Sequence, residues 1–151
     1  SPDDLENLVA FMKGFVDKCH HKKEEGYLFP ALMILNNPRI EGMVKVLTQE
    51  HAKLHNLVQD LDRSLEGYRK EDPRAKQKII ASLKDYVVIL TDHEGRETNI
   101  LFEEVEKILP DEVKERLFKD FNRVELEYVG IGCNGESGKI LENIHSHYLK
   151  A

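Results

Sequence analysis

The chain has 151 residues, 40% of them apolar and 33% charged, with only 5 Pro and 9 Gly. That is the size of one compact domain, too apolar for disorder and too poor in turn residues for a many-stranded sheet, so a single helical domain over 1–151 is expected. The 22 basic against 28 acidic residues leave a formal net charge of -6, which repels phosphate backbones and anionic lipid and argues against nucleic-acid or membrane partners.

The elements follow in chain order. Ser1-Pro2-Asp3-Asp4 reads as an N-cap with proline at the first helical position, unlike the basic start of a signal peptide. Leu5, Leu8, Met12, Phe15, Val16 and Cys19 then carry a helical period that runs to about Asn36, with a kink expected at Pro30. A second helix is predicted over 40–68, on the stripe Ile40, Val44, Leu47, Leu54, Val58, Leu61 and Leu65. A third runs over about 73–109 and a fourth over about 110–128. The glycine-rich stretch 130–138 then forms a loop before a short final helix over 137–150. No apolar run approaches the roughly 18 residues of a membrane span. Cys19 and Cys133 fit no C-x-x-C pattern, which indicates neither a zinc ribbon nor a disulfide scaffold and favours a reducing, cytoplasmic compartment; Cys19 itself reads as a small core residue.

The seven histidines are not scattered over polar faces. On a wheel of about 100° per residue, His51 and His55 fall one turn apart inside the apolar stripe of the second helix. Two interior imidazoles on adjacent turns are better explained by metal than by two separate buried partners. The first helix offers two overlapping pairs, His20 with Glu24 and His21 with Glu25. The wheel puts His20 and Glu24 at the inward margin and His21 and Glu25 about a third of a turn further out. In the third helix His93 and Glu97 flank the stripe of Leu90 and Leu101, with Glu94 a rival ligand or outer acceptor.

A short internal repeat joins two of these motifs: His20-x-x-x-Glu24-x-x-x-Leu28-Phe29 matches His93-x-x-x-Glu97-x-x-x-Leu101-Phe102. Such duplication suits a two-metal core in which each half supplies a His and a carboxylate one turn apart. Taken singly, each pair could be a surface i, i+4 charge pair; four His and two Glu on three inward faces resist that reading. Structural zinc usually recruits Cys and needs four ligands. Six N and O donors without thiolate suit two iron ions, with zinc or manganese less favoured.

The segment 15–30, with its core His20-His21-Lys22-Lys23-Glu24-Glu25-Gly26-Tyr27-Leu28-Phe29-Pro30, resembles the HH-x-KEE-x-x-LFP signature of the hemerythrin-like, or HHE cation-binding, family. Glu50-His51 resembles that family's following E-H step, and 93–102 its second H-x-x-x-E element; the resemblance covers about 11–109, with a weaker echo at 145–148. It implies an all-α, antiparallel four-helix bundle with additional short C-terminal helices, holding a non-haem di-iron centre. On that resemblance His20, His51, His55 and His93 would be terminal ligands and Glu24 and Glu97 the bridges. The pair His51-x-x-x-His55 is more like the oxygen-carrying hemerythrins. Family members usually carry a further His on a helix before the His-His motif, whereas the 19 residues ahead of His20 hold none. A shortened chain, a helix supplied by a partner or a second copy, or a C-terminal helix offering His145 or His147 would each account for this; on the wheel both of those histidines read as structural.

Three functions fit these residues. The leading one is a di-iron protein that binds O2 reversibly or senses O2, redox state or iron. The second is an enzyme that reduces peroxide or NO or serves iron-cluster repair, with Tyr27 and Tyr86 as possible proton donors, though each reads better as a core-margin aromatic with its hydroxyl at solvent. The third is a metal-free helical interaction module, which would have to bury four imidazoles and two carboxylates at a cost of several kcal/mol.

Overall fold

The computed structural model describes residues 1–127, and no strand occurs among them. They form four helical rods: α1 (residues 2–33), α2 (Pro38–Arg69), α3 (residues 73–108) and α4 (Asp111–Glu127). The predicted glycine-rich loop and final helix, with His145 and His147, lie outside the described residues.

Three of the rods begin in the same way, with a polar cap followed by proline. Ser1 and Asp4 close a reciprocal capping box, the Asn37 side chain accepts from the backbone N–H groups of Arg39 and Ile40, and Asp72 accepts from that of Arg74. Pro2, Pro38 and Pro73 then occupy positions whose N–H would have no helical acceptor anyway. The two longer connections each turn on a residue with positive φ, Asn36 at 49° and Glu71 at 57°. Beside the second of them Gly67 abuts α3 so closely that a Cβ there would lie 2.9 Å from the Ala75 Cβ.

Side-chain pairings fix the directions of the rods. Asp3, Lys13, Asp17 and Glu25 of α1 meet Arg69, Asp62, His55 and His51 of α2 in reverse order, so these rods are antiparallel. Glu50 of α2 meets Arg96 of α3 while Gly67 meets Ala75, which is antiparallel again. Lys22, Lys23 and Tyr27 of α1 meet Glu127, Glu125 and Arg123 of α4. The result is an up-down-up-down bundle with short connections.

Two rods are not uniform. α1 is α-helical over Pro2–Phe11 and Phe29–Met33 but opens into wider π turns over Met12–His21 and Glu24–Leu28; α3 does the same over Glu97–Leu101. The rod therefore continues through Pro30, because the π turn ends just before the α-helical Phe29–Met33 and absorbs the disturbance that proline imposes on an α-helical ladder.

The core is layered. One apolar cluster includes Leu28, Leu32, Val44, Leu47, Leu101 and Leu117, and another gathers Val9, Met12, Leu54, Val58, Leu61, Ile79 and Tyr86. Between them α1, α2 and α3 insert His21, Glu24, Glu50, His51, His93 and Glu97, all buried. Cys19 is wholly buried and is held in a disulfide, which corrects its reading as a plain core residue and removes the cysteine argument for a reducing compartment. No helix among the described residues is long and apolar enough to cross a membrane.

Leu47 and Leu54 bound this polar layer on either side along α2, and both are fully buried. Leu54→Ala is expected to lower unfolding free energy by about 2–5 kcal/mol in a denaturant titration of the metal-free protein. A loss under about 1 kcal/mol would contradict the packing described.

Candidate metal centre

The polar layer is a convergence of nitrogen and oxygen donors in the middle of an apolar core. Single donor atoms from Glu24, His51, His93 and Glu97 all lie within 4.8 Å of one another, and His21, His51 and His93 form a second such group. The Nε2 of His51 lies 3.2 Å from the Nε2 of His93 and 3.3 Å from a Glu24 oxygen, while His93 Nε2 is 3.1 Å from Glu97. The His21 ring stacks on His51 at 3.8 Å between centroids, and the Phe29 ring also lies stacked with His51 at 5.7 Å.

These groups are poorly satisfied by one another. The His21 Nε2, one Glu24 oxygen and one Glu97 oxygen are buried without a hydrogen-bond partner. Each such atom costs about 1–3 kcal/mol if left so, more when charged. Burial and the neighbouring Glu97 carboxylate push the Glu24 carboxyl up to about 8. Burial works on Glu97 in the same direction, but its contacts with His93 outweigh it and hold this carboxyl below the usual range. Two carboxylates side by side without a cation cannot both be ionised cheaply, so the metal-free layer keeps a proton on Glu24. A cation would replace that proton and take up the orphaned donors, and the all-N/O donor set suits iron, manganese or zinc rather than a thiolate-seeking ion.

The structure brings together four of the six residues singled out from the sequence: Glu24, His51, His93 and Glu97. Within the His-His pair it buries His21 against His51, while His20 stays half-exposed at the margin, with its Nε2 3.6 Å from Glu24. The cause is the π stretch over Met12–His21. Its wider turns advance each residue by less than the about 100° of an α-helix, and over ten residues the lag exceeds one residue step, swinging His21 inward. His55 also departs from expectation: 52% of its side chain is exposed, and its Nδ1 lies 2.8 Å from Asp17. Glu94 is exposed and stands outside the cluster.

Of the two tyrosines, Tyr27 behaves as expected, its hydroxyl accepting from Arg123 at the exposed edge. Tyr86 does not, because its hydroxyl is buried without a partner and burial pushes it up to about 12. A cleft of about 640 Å³ between α1 and α2 leads from solvent to His21 and His51, past Asp17, Lys22, Glu25 and His55.

Two outcomes test the geometry. His21→Ala should weaken metal binding by at least about tenfold and more than His20→Ala does, measured by metal titration of the two variants; the reverse order would contradict the burial pattern. The second concerns protons. Between about pH 4.5 and 8 the folded chain holds a proton on Glu24 that the unfolded chain has released, so this group's contribution to metal-free stability falls as pH rises through that window. Metal must displace the same proton. A titration in weak buffer at pH 7 should therefore release at least about one proton per centre, and that release should shrink above pH 8.

Comparison with known proteins bears on the same residues. The family model described as the hemerythrin HHE cation binding domain matches residues 1–105, a span that contains every donor of the layer. No curated protein and no solved structure matched the chain. With the match covering more than half of the sequence, the chain belongs to the hemerythrin HHE cation-binding domain family.

Proposed function

We propose that this metal-binding domain holds a pair of iron ions between its two H-x-x-x-E motifs and binds O2 or a related small ligand as a carrier or sensor. The observation that supports this most is the pairing of Glu24 and Glu97. Each begins a π turn at the same place in the repeat, each is buried, and together they place two carboxylates between histidines from three rods. Carboxylates in that position can bridge two cations, and imidazoles suit the terminal positions. When bound, such a centre supplies electrons to a diatomic ligand. The chain's own residues hold the donors in place, and the two apolar clusters keep water from either side of the layer.

The cleft reaching His21 and His51 offers a route for a small ligand from solvent. It also keeps the enzymatic reading in play, since peroxide or NO could use the same route and the Tyr86 hydroxyl is a buried donor without a partner. Turnover separates the two readings: a carrier or sensor forms a stable adduct, whereas an enzyme consumes peroxide or NO continuously in stopped flow.

Anaerobic reconstitution with ferrous iron, followed by metal analysis and an absorption spectrum in air, tests the proposal. The expected result is about two irons per chain and a near-ultraviolet charge-transfer band, both abolished in His51→Ala. A single tightly bound zinc, or no retained iron in the wild type, would overturn it.

A further inference from the structure

The three buried histidines have their Nε2 atoms turned toward the layer, and each has its other ring nitrogen against a carboxylate that is not among the converging donors. Glu25 lies 2.6 Å from His51 Nδ1 and Glu50 3.2 Å from His93 Nδ1, both in hydrogen bonds, whereas the Asp17 oxygen 3.5 Å from His21 Nδ1 is buried without a hydrogen-bond partner. A carboxylate at Nδ1 favours the proton on that nitrogen and turns the Nε2 edge into the layer, where His51 Nε2 lies 3.3 Å from Glu24 and His93 Nε2 3.1 Å from Glu97. The two Nε2 atoms lie 3.2 Å apart with Glu24 and Glu97 beside them, a convergence that a cation could occupy once the ring edges are held inward.

These carboxylates are themselves held, and two of them link neighbouring rods. Glu25 of α1 reaches His51 of α2, and Glu50 of α2 reaches His93 of α3 while receiving a 2.6 Å hydrogen bond from Arg96. Asp17, one turn before His21, is tied at 2.8 Å to His55. The sequence features left over from the metal cluster thus find a place: the second glutamate after the His-His pair, the glutamate beside His51, and His55.

We propose that Glu25 and Glu50 are positioning residues that clamp His51 and His93 with Nε2 inward, so that the affinity and geometry of the centre depend on two carboxylates that never touch the metal. The inference rests on the metal-binding reading above. Carboxylate partners of this kind fix ring orientation and raise donor strength, and losing one typically weakens metal affinity about 10- to 100-fold.

Glu25 is the best probe because 44% of its side chain is exposed, so its replacement spares the core. Metal-free wild type, Glu25→Gln and Glu25→Ala would be compared by histidine ring 15N spectra, thermal melting and Co2+ titration, with Glu66→Gln as an exposed control. The expected result is an Nδ1-protonated His51 in wild type and a mixed tautomer in Glu25→Ala, with unchanged melting. Co2+ affinity should fall about 10- to 100-fold in Glu25→Ala, with an altered visible spectrum, fall less in Glu25→Gln, which keeps an acceptor oxygen, and not change in the control. Wild-type affinity and tautomer in Glu25→Ala would overturn the inference while leaving the metal centre intact. Failure of the wild type to bind Co2+ or Fe2+ would overturn the metal reading and the inference with it. Should Glu25→Ala melt lower, Glu50→Gln supplies the same comparison through His93, and loss of affinity only in proportion to loss of stability would count against the proposal.

Discussion

Six buried polar side chains lie between two apolar clusters, and they must be neutralised together. Removing three carboxylates and three imidazoles from water costs several kcal/mol per charge unless partners return it. Here the protein supplies hydrogen-bond partners on the outer side of the His51 and His93 rings and leaves the inner side short, with orphaned atoms on His21, Glu24 and Glu97. A proton on Glu24 relieves part of the repulsion, and a cation relieves it more fully. The layer is thus built at the expense of the metal-free fold, which is how a site is made to demand its ligand.

The bundle serves this layer. Capped helix starts and short connections hold three rods in alternating directions, so that α1, α2 and α3 each present donors at one level. The π turns that begin at Glu24 and at Glu97 tie the repeat in the sequence to a repeat in backbone geometry. Widened turns of this kind recur at functional sites because they bring side chains to one face that a regular helix would spread around it. α4 closes the end of the bundle around Leu28 and Leu32, placing Leu117 in that cluster and pairing with Lys22, Lys23 and Tyr27 at its edge.

Much of this was legible in the sequence. The apolar periods, the proline caps and the two H-x-x-x-E motifs identify the four rods and four of the converging donors, because regular helices obey a regular wheel. His21 escaped for the converse reason: a π stretch has no period of its own in the sequence, and without it the wheel selects His20. His55 sits at the right spacing from His51, but on a straight α2 four residues drift about 40°, enough to take it out to Asp17. Glu25 and Glu50 act across rods, and a contact between rods leaves no mark in the periodicity of either. Tyr86 was legible as apolar, while the absence of a partner for its hydroxyl depends on how the rods meet.

The most direct test of the account is where the metal sits. Anomalous scattering from crystals grown with iron should place it inside the layer, between His21, His51, His93 and the facing carboxylates of Glu24 and Glu97, with His55 still on Asp17. Iron found only on surface carboxylates, or ligated by His20 and His55 with His21 turned outward, would contradict it.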